Sequence, residues 1–268
     1  MRTRVPVPRE HGAWAMFLVS LFVGWLVAGQ WNIQGVVYAL SATGIFLARH
    51  PLGLMLKAWR RRKLLERSLT IWAGIYLAVS GLGGIWLVTL GQRAQLLALL
   101  PLVGLLFVAY LSQVVRRKES SVLGELTGIA GLVLNAPAAY YAAIGHFDAT
   151  AGGLWAIHLL YFSGSVFYIK LKVREQTRRD APSQLSQRLI AGRACLTYQT
   201  LALSIVALLA FLRWMPALMP LALVPVTIKA IVGALRWQDR RSLSLIRLGL
   251  IEVAHSLLFG ALAILIFR

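Results

Sequence analysis

The sequence predicts an all-α polytopic membrane protein with nine transmembrane helices. Two observations carry that prediction. Of 268 residues, 59% are hydrophobic and only 14% are charged, against roughly 25% charged in a soluble domain. The apolar residues are also gathered into runs near the length a helix needs to cross a bilayer, about 20 residues. Buried backbone polar groups leave only helices or a closed barrel in lipid, and these runs lack strand alternation.

The runs fall at about 12–29, 33–48, 69–90, 96–114, 122–144, 153–169, 189–212, 215–235 and 245–267. The first lacks a small-residue cleavage site and reads as a retained helix rather than a signal peptide. The second is short: either it extends toward Leu54, or it ends early because it lines a cavity, with Arg49-His50-Pro51 as a helix stop. The remainder is connecting loop, so the chain reads as one transmembrane domain, 1–268.

The charge balance sets an orientation. There are 28 Lys and Arg residues against 9 Asp and Glu. The segments on the N-terminal side hold three cations at 1–11, seven at 49–68, three at 115–121, seven at 170–193 and four at 236–247. The opposite side has Arg93, Arg213 and Arg268. The positive-inside rule then places the N-terminus in the cytoplasm and the C-terminus outside, in a bacterial cytoplasmic (inner) membrane. Trp31, Trp86, Trp155 and Trp214 fall at the outer helix ends, and Trp59, Trp72 and Trp237 near the inner ends, as interfacial belts do. The basic surplus is therefore topological, and no nucleic-acid partner is implied. Two long cytoplasmic segments, 49–68 and 170–188, each follow an outside-to-inside helix, which suggests a repeat of four helices plus one extra.

Several function classes are excluded. Cys195 is alone, so there is neither a disulfide within the chain nor a cysteine zinc site. The three aspartates, Asp148, Asp180 and Asp239, form no Asp-rich pair. Phosphate-loop and Gly-x-Ser-x-Gly motifs are missing. These absences argue against an ATP-driven pump, a serine hydrolase and a carboxylate-type Mg2+ site.

Ionisable groups inside a bilayer are costly and mark function by default. Helix rise places Glu125, Lys229, Glu252 and His255 one to three turns inside the cytoplasmic ends of their helices. Glu10 and His11 open the first helix, Arg49 and His50 end the second, and Lys170 and Lys172 close the sixth. This distribution predicts one basic cavity open to the cytoplasm, with Asn135 as its floor. Each residue also has a plainer reading. Arg60, Arg61, Lys170 and Lys172 serve as snorkelling topology charges. Glu10 serves the positive end of a helix. Lys229 and Glu252 make a structural ion pair. Tyr140, Tyr141, Tyr161 and Tyr168 pack or line the cavity. Glu252-x-x-His255 has a dimetal spacing, but no second copy exists. Glu10, His11, Glu125 and His255 remain the candidate ligands for a haem or a single metal ion. His146 and His158 lie toward the outer side and read as poor partners.

The string Pro8-Arg9-Glu10-His11-Gly12-Ala13-Trp14-Ala15-Met16, with Arg49-His50-Pro51 and the stretch from Gly124-Glu125-Leu126 to Asn135-Ala136-Pro137, resembles the YwiC-like family of bacterial integral membrane proteins. More distantly, nine helices with long cytoplasmic loops after the second and sixth are similar to the UbiA superfamily of membrane prenyltransferases. That resemblance implies a UbiA-like bundle that binds an isoprenoid or other membrane lipid. The superfamily holds an isoprenyl diphosphate through Mg2+ on Asp-rich motifs. The corresponding positions here, Arg49 to Gly53 and Val166 to Lys172, contain no aspartate.

Three functions stay open. One is a metal-independent prenyl-diphosphate transferase or lyase. Arg49, His50, Arg60, Lys170 and Lys172 would hold the anion, with Tyr168 among the substrate-facing groups. Glu125 or Glu252 would act as acid, base or carbocation stabiliser, and His11 and His255 would carry protons. The second is a transporter, with Lys229, Glu252 and Asn135 along its path. The third is an accessory subunit of a membrane respiratory or cofactor-assembly complex.

Overall fold

Every one of the nine apolar runs becomes helix, because an apolar segment satisfies its backbone internally in no simpler way. The computed structural model describes residues 6–8, 11–62, 64–116, 118, 120–177, 184–236 and 245–268. No strand occurs among them. The chain divides into two compact units, Met1–Phe147 and Asp148–Arg268.

The first unit contains α1 (His11–Ala28), α2 (Ile33–Arg60), α3 (Arg67–Thr89), a 3-10 segment (Ala94–Leu99), α4 (Leu100–Val115), α5 (Val122–Val133) and α6 (Asn135–Ile144). The second contains α7 (Ala149–Thr177), α8 (Leu185–Phe211), a 3-10 segment (Met219–Leu223), α9 (Val224–Leu235) and α10 (Leu245–Phe267). Among the described residues, seven helical segments are long and apolar enough to cross a membrane. Residues Gly12–Ala28 and Met219–Leu235 form shorter apolar helices. Leu82, Leu105, Ile246 and Leu265 are all exposed. Such surfaces suit lipid rather than water.

Four boundaries differ from the sequence expectation. The second run extends, as one of its two readings has it, and goes beyond Leu54: α2 continues through a buried Pro51 to Arg60. Proline there removes one N–H, and neighbouring helices make that tolerable in membrane proteins. Lys57 and Arg60 in the last turn also favour the negative helix end. The fifth run is two helices broken at Leu134. Asn135 donates from Nδ2 to Leu132 O at 2.8 Å, and Pro137 has no N–H to offer Val133. The sixth run starts earlier and ends later. Asp148 Oδ1 accepts from Ala151 N–H at 3.1 Å as an N-terminal cap, and paired side chains at 172 and 175 let the helix pass residue 169. The eighth run is a 3-10 turn followed by α9, with Pro220 and Pro225 each lacking an N–H across the junction.

Small residues bring helices together in the first unit. A Cβ on Gly24 of α1 would collide with the carbonyl of Ala136 in α6, and one on Gly44 of α2 would lie 2.7 Å from Tyr76 O in α3. Close backbone approach of this kind replaces the hydrophobic drive that lipid does not supply. Ser80 Oγ of α3 donates to Ser41 O of α2 at 2.8 Å. The end of α6 is closed by cations and amides. Arg93 Nε donates to Ala142 O at 2.8 Å and Asn32 Nδ2 to Ala143 O at 2.6 Å, while Gly145 adopts φ +89° just past the helix.

Candidate functional site

A column of polar and aromatic side chains runs along α7. Trp155, His158, Tyr161, Ser165, Tyr168, Lys172 and Glu175 recur every three or four residues, which keeps them on one helix face. All are buried except Trp155, which is partly exposed. At 1.5 Å per residue the column is about 30 Å long, the thickness of a hydrocarbon core.

Two ion pairs occupy the Thr177-proximal half. Lys229 Nζ of α9 donates to Glu252 Oε1 of α10 at 2.6 Å, and Ser165 Oγ donates to Glu252 Oε2 at 2.8 Å. Both carboxylate oxygens are therefore engaged. One face of Tyr168 serves the same ammonium: Lys229 Nζ stands 4.7 Å from the ring centroid. Lys172 Nζ stands 5.9 Å from that centroid and donates to Glu175 Oε2 at 2.8 Å and to Gly233 O at 2.7 Å. Gly233 is required there, since a Cβ would lie 2.5 Å from the Tyr168 ring. Tyr168, Leu171, Cys195, Ala230, Ala234 and Leu248 pack into one apolar cluster around these charges. Two ammonium and two carboxylate groups leave the column formally neutral. That balance makes their burial tolerable, because an unpaired charge in such surroundings costs several kcal/mol.

The Ala149-proximal half is aromatic. Tyr161 stacks on Phe259 at 3.9 Å, and the His158 ring meets Phe259 edge-on at 5.2 Å. His158 Nδ1 lies 2.7 Å from Leu154 O. A carbonyl only accepts, so Nδ1 carries the hydrogen and the neutral ring keeps a lone pair on Nε2. That Nε2 is buried without a partner, as are Trp155 Nε1 and Glu175 Oε1. The Tyr161 hydroxyl faces Ser256 without forming a well-shaped hydrogen bond.

The sequence-derived residues divide between the units. Tyr168, Lys172, Lys229 and Glu252 are brought together as described. Lys170 is partly exposed on the same helix. His255 is partly exposed and uses Nδ1 on Ile251 O at 2.8 Å. Its neighbour Glu252 is committed to Lys229 and Ser165, so the Glu252–His255 spacing does not make a joint ligand pair. Among the described residues no group of three His, Cys, Asp or Glu side chains could hold a metal ion.

In the first unit Arg49 is partly buried, 5.4 Å from the Phe46 centroid and 5.9 Å from that of Tyr110. His50 follows it on α2, partly buried, and Arg60 is exposed at the end of that helix. Glu125 is partly buried in the first turn of α5. Asn135 Oδ1 accepts from the Tyr38 hydroxyl at 2.9 Å, at the break between α5 and α6. Glu10 and the side chain of His11 lie outside the described residues, and with them the proposed pairing of His11 and His255 on a haem or metal.

Comparison with known proteins places the chain. Residues 7–140, half its length, match the model of a family described as YwiC-like protein. The chain belongs to the YwiC-like family. Among curated proteins, the uncharacterized protein YwiC of Bacillus subtilis (strain 168) is 27% identical over 176 residues, covering 65% of this chain and 69% of its own. No solved structure matches. The YwiC-like match contains Glu10, His11, Arg49, His50, Glu125 and Asn135, and ends before the α7 column.

Sequence reasoning missed Ser165 and Glu175, and it reads His158 as a poor partner. A sixth run of 153–169 leaves Glu175 in the segment that follows it. The three-and-four spacing from Trp155 to Glu175 was the signal that would have found all three.

Proposed function

We propose that this YwiC-like membrane protein is a carrier of small organic or inorganic anions, with Lys229 as the anion-binding group and Glu252 as its resting counter-ion. One observation carries the reading: a buried lysine–glutamate pair, 2.6 Å apart, within helices of a membrane protein. Intramembrane ionisable groups of this kind mark substrate and ion paths. Opening the pair presents an ammonium above the Tyr168 ring. The cationic segments 49–68 and 170–193 supply a field that gathers anions. The interrupted α5–α6 and 3-10–α9 segments also resemble the broken helices that transporters use at their binding sites.

The test is a current measurement on solid-supported membranes carrying the reconstituted protein. Inorganic phosphate, sulfate, succinate and citrate are applied in turn. The expected result is a saturable current with at least one of them, lost in Lys229→Met. A folded, monodisperse protein that gives no current with any of the four overturns the carrier reading.

A second reading, a lipid-diphosphate binder of UbiA type, is supported by element order. The run of long helix, helix, 3-10 segment and helix occurs from α2 to α4 and again from α7 to α9. It predicts that farnesyl diphosphate raises the thermal midpoint in EDTA, since a ligand of the native state stabilises by mass action. An unchanged midpoint at millimolar ligand removes it.

A further inference from the structure

We propose that the α7 column is a proton path, in which His158 delivers a proton by way of Tyr161 to Glu252. The inference rests on the carrier reading, because it makes Glu252 the site where proton and anion are coupled.

The geometry supplies each station. His158 is fully buried and its Nε2 lone pair has no partner. A buried acceptor left unmade is costly unless something returns to it. A proton, or a water that brings one, is what returns. Tyr161 follows one turn along the same face, its hydroxyl turned to Ser256, and Ser256 lies one turn beyond Glu252 on α10. The groups packed on the His158 ring are aromatic, Phe162 of α7 and Phe259 of α10. Among the described residues the buried charged side chains are Lys172, Glu175, Lys229 and Glu252. His158 therefore faces no fixed charge across its ring, and formal charge in the column begins at Glu252.

The step balances as a hydrogen-bonded relay. Nε2–H forms as a proton enters from the Ala149 end, which the positive-inside count puts outside. That N–H breaks as a bridging water passes the proton to the Tyr161 oxygen. The tyrosine releases its own hydroxyl hydrogen through a second water to a Glu252 oxygen. One proton moves, and each O–H or N–H bond formed is matched by one broken. Protonated Glu252 no longer holds Lys229, so the freed ammonium takes the anion.

The experiment uses the full chain in liposomes with a trapped pH dye. Proton uptake is driven by a valinomycin-clamped potential, with and without external inorganic phosphate, sulfate, succinate or citrate. Protein-dependent uptake is expected. His158→Gln is expected to slow it about tenfold or more, equivalent to raising one hop by roughly 1.4 kcal/mol. Tyr161→Phe should slow it too, and serves alone if the glutamine variant fails to fold. His146→Gln, on an exposed loop residue, should leave it unchanged. Folded wild-type protein with no proton uptake under any condition overturns the path, as does uptake unaltered in Tyr161→Phe or in folded His158→Gln. An anion current that persists with unaltered proton uptake in His158→Gln sinks the path and leaves the carrier standing. Uptake dependent on His158 without any anion current does the reverse.

Discussion

The two units share an order of elements and differ in what they bury. In the first, the buried polar residues among those described are serines: Ser20, Ser41 and Ser80. Its helices meet through glycine and backbone carbonyls, and its described cations lie partly or wholly exposed. In the second, His158, Lys172, Glu175, Gln199, Lys229 and Glu252 are all buried. The difference separates two tasks. The first unit carries the stretch that matches the family and solves helix packing in lipid. The second accepts the far larger cost of burying charge, and a cost of that kind persists where it serves a function.

The contrast is broken most forcefully at Glu252. Glu252→Ala leaves Lys229 buried and unpaired, with side-chain exposures of 7% and 10% for the two partners in the native pair. The expected loss is about 3–5 kcal/mol. Lys229→Met combined with Glu252→Leu should recover most of it, because removing both charges removes the penalty. Thermal unfolding in detergent reads both. A double variant no more stable than Glu252→Ala would show that the pair is not what the second unit protects. Lys172→Met should behave as Glu252→Ala does, since it strands Glu175 and the carbonyl of Gly233.

In the first unit the corresponding weak point is a glycine. Gly24→Ala drives a methyl into the Ala136 carbonyl, and overpacking of this kind costs about 1–3 kcal/mol. Gly53→Ala has nothing within 4 Å, and should be neutral or stabilise α2 by roughly 0.5–1 kcal/mol. Opposite signs for two identical substitutions are the outcome to look for. Equal effects would mean that the α1–α6 approach is looser than its backbone spacing.

The helices were legible in the sequence because lipid imposes one solution on an apolar run. The starts and stops were less so. Pro51 reads as a stop only if the chain is in water, and Asp148 caps α7 from a position that looks like loop. Lys229 and Glu252 were found as a pair, because two opposite charges deep in different helices have few alternatives. Glu175 was not, since its neutrality depends on Lys172, and hydropathy counts that pair as two losses rather than one compensated contact. His158 was set aside for lying on the outer side, although depth does not decide whether a buried nitrogen finds a partner.

The smallest effect is the most discriminating. Tyr38→Phe removes one hydrogen bond to Asn135 Oδ1, 2.9 Å long, at the break between α5 and α6. Asn135 keeps its second bond, from Nδ2 to Leu132 O, so the break itself should survive. A loss of about 1 kcal/mol is expected, with the anion current unchanged, if the first unit is scaffold. An unchanged thermal midpoint with a lost current would instead place Tyr38 and Asn135 on the transport path. The broken helix of the first unit would then match in role, and not only in order, the interrupted segment that carries Lys229 in the second.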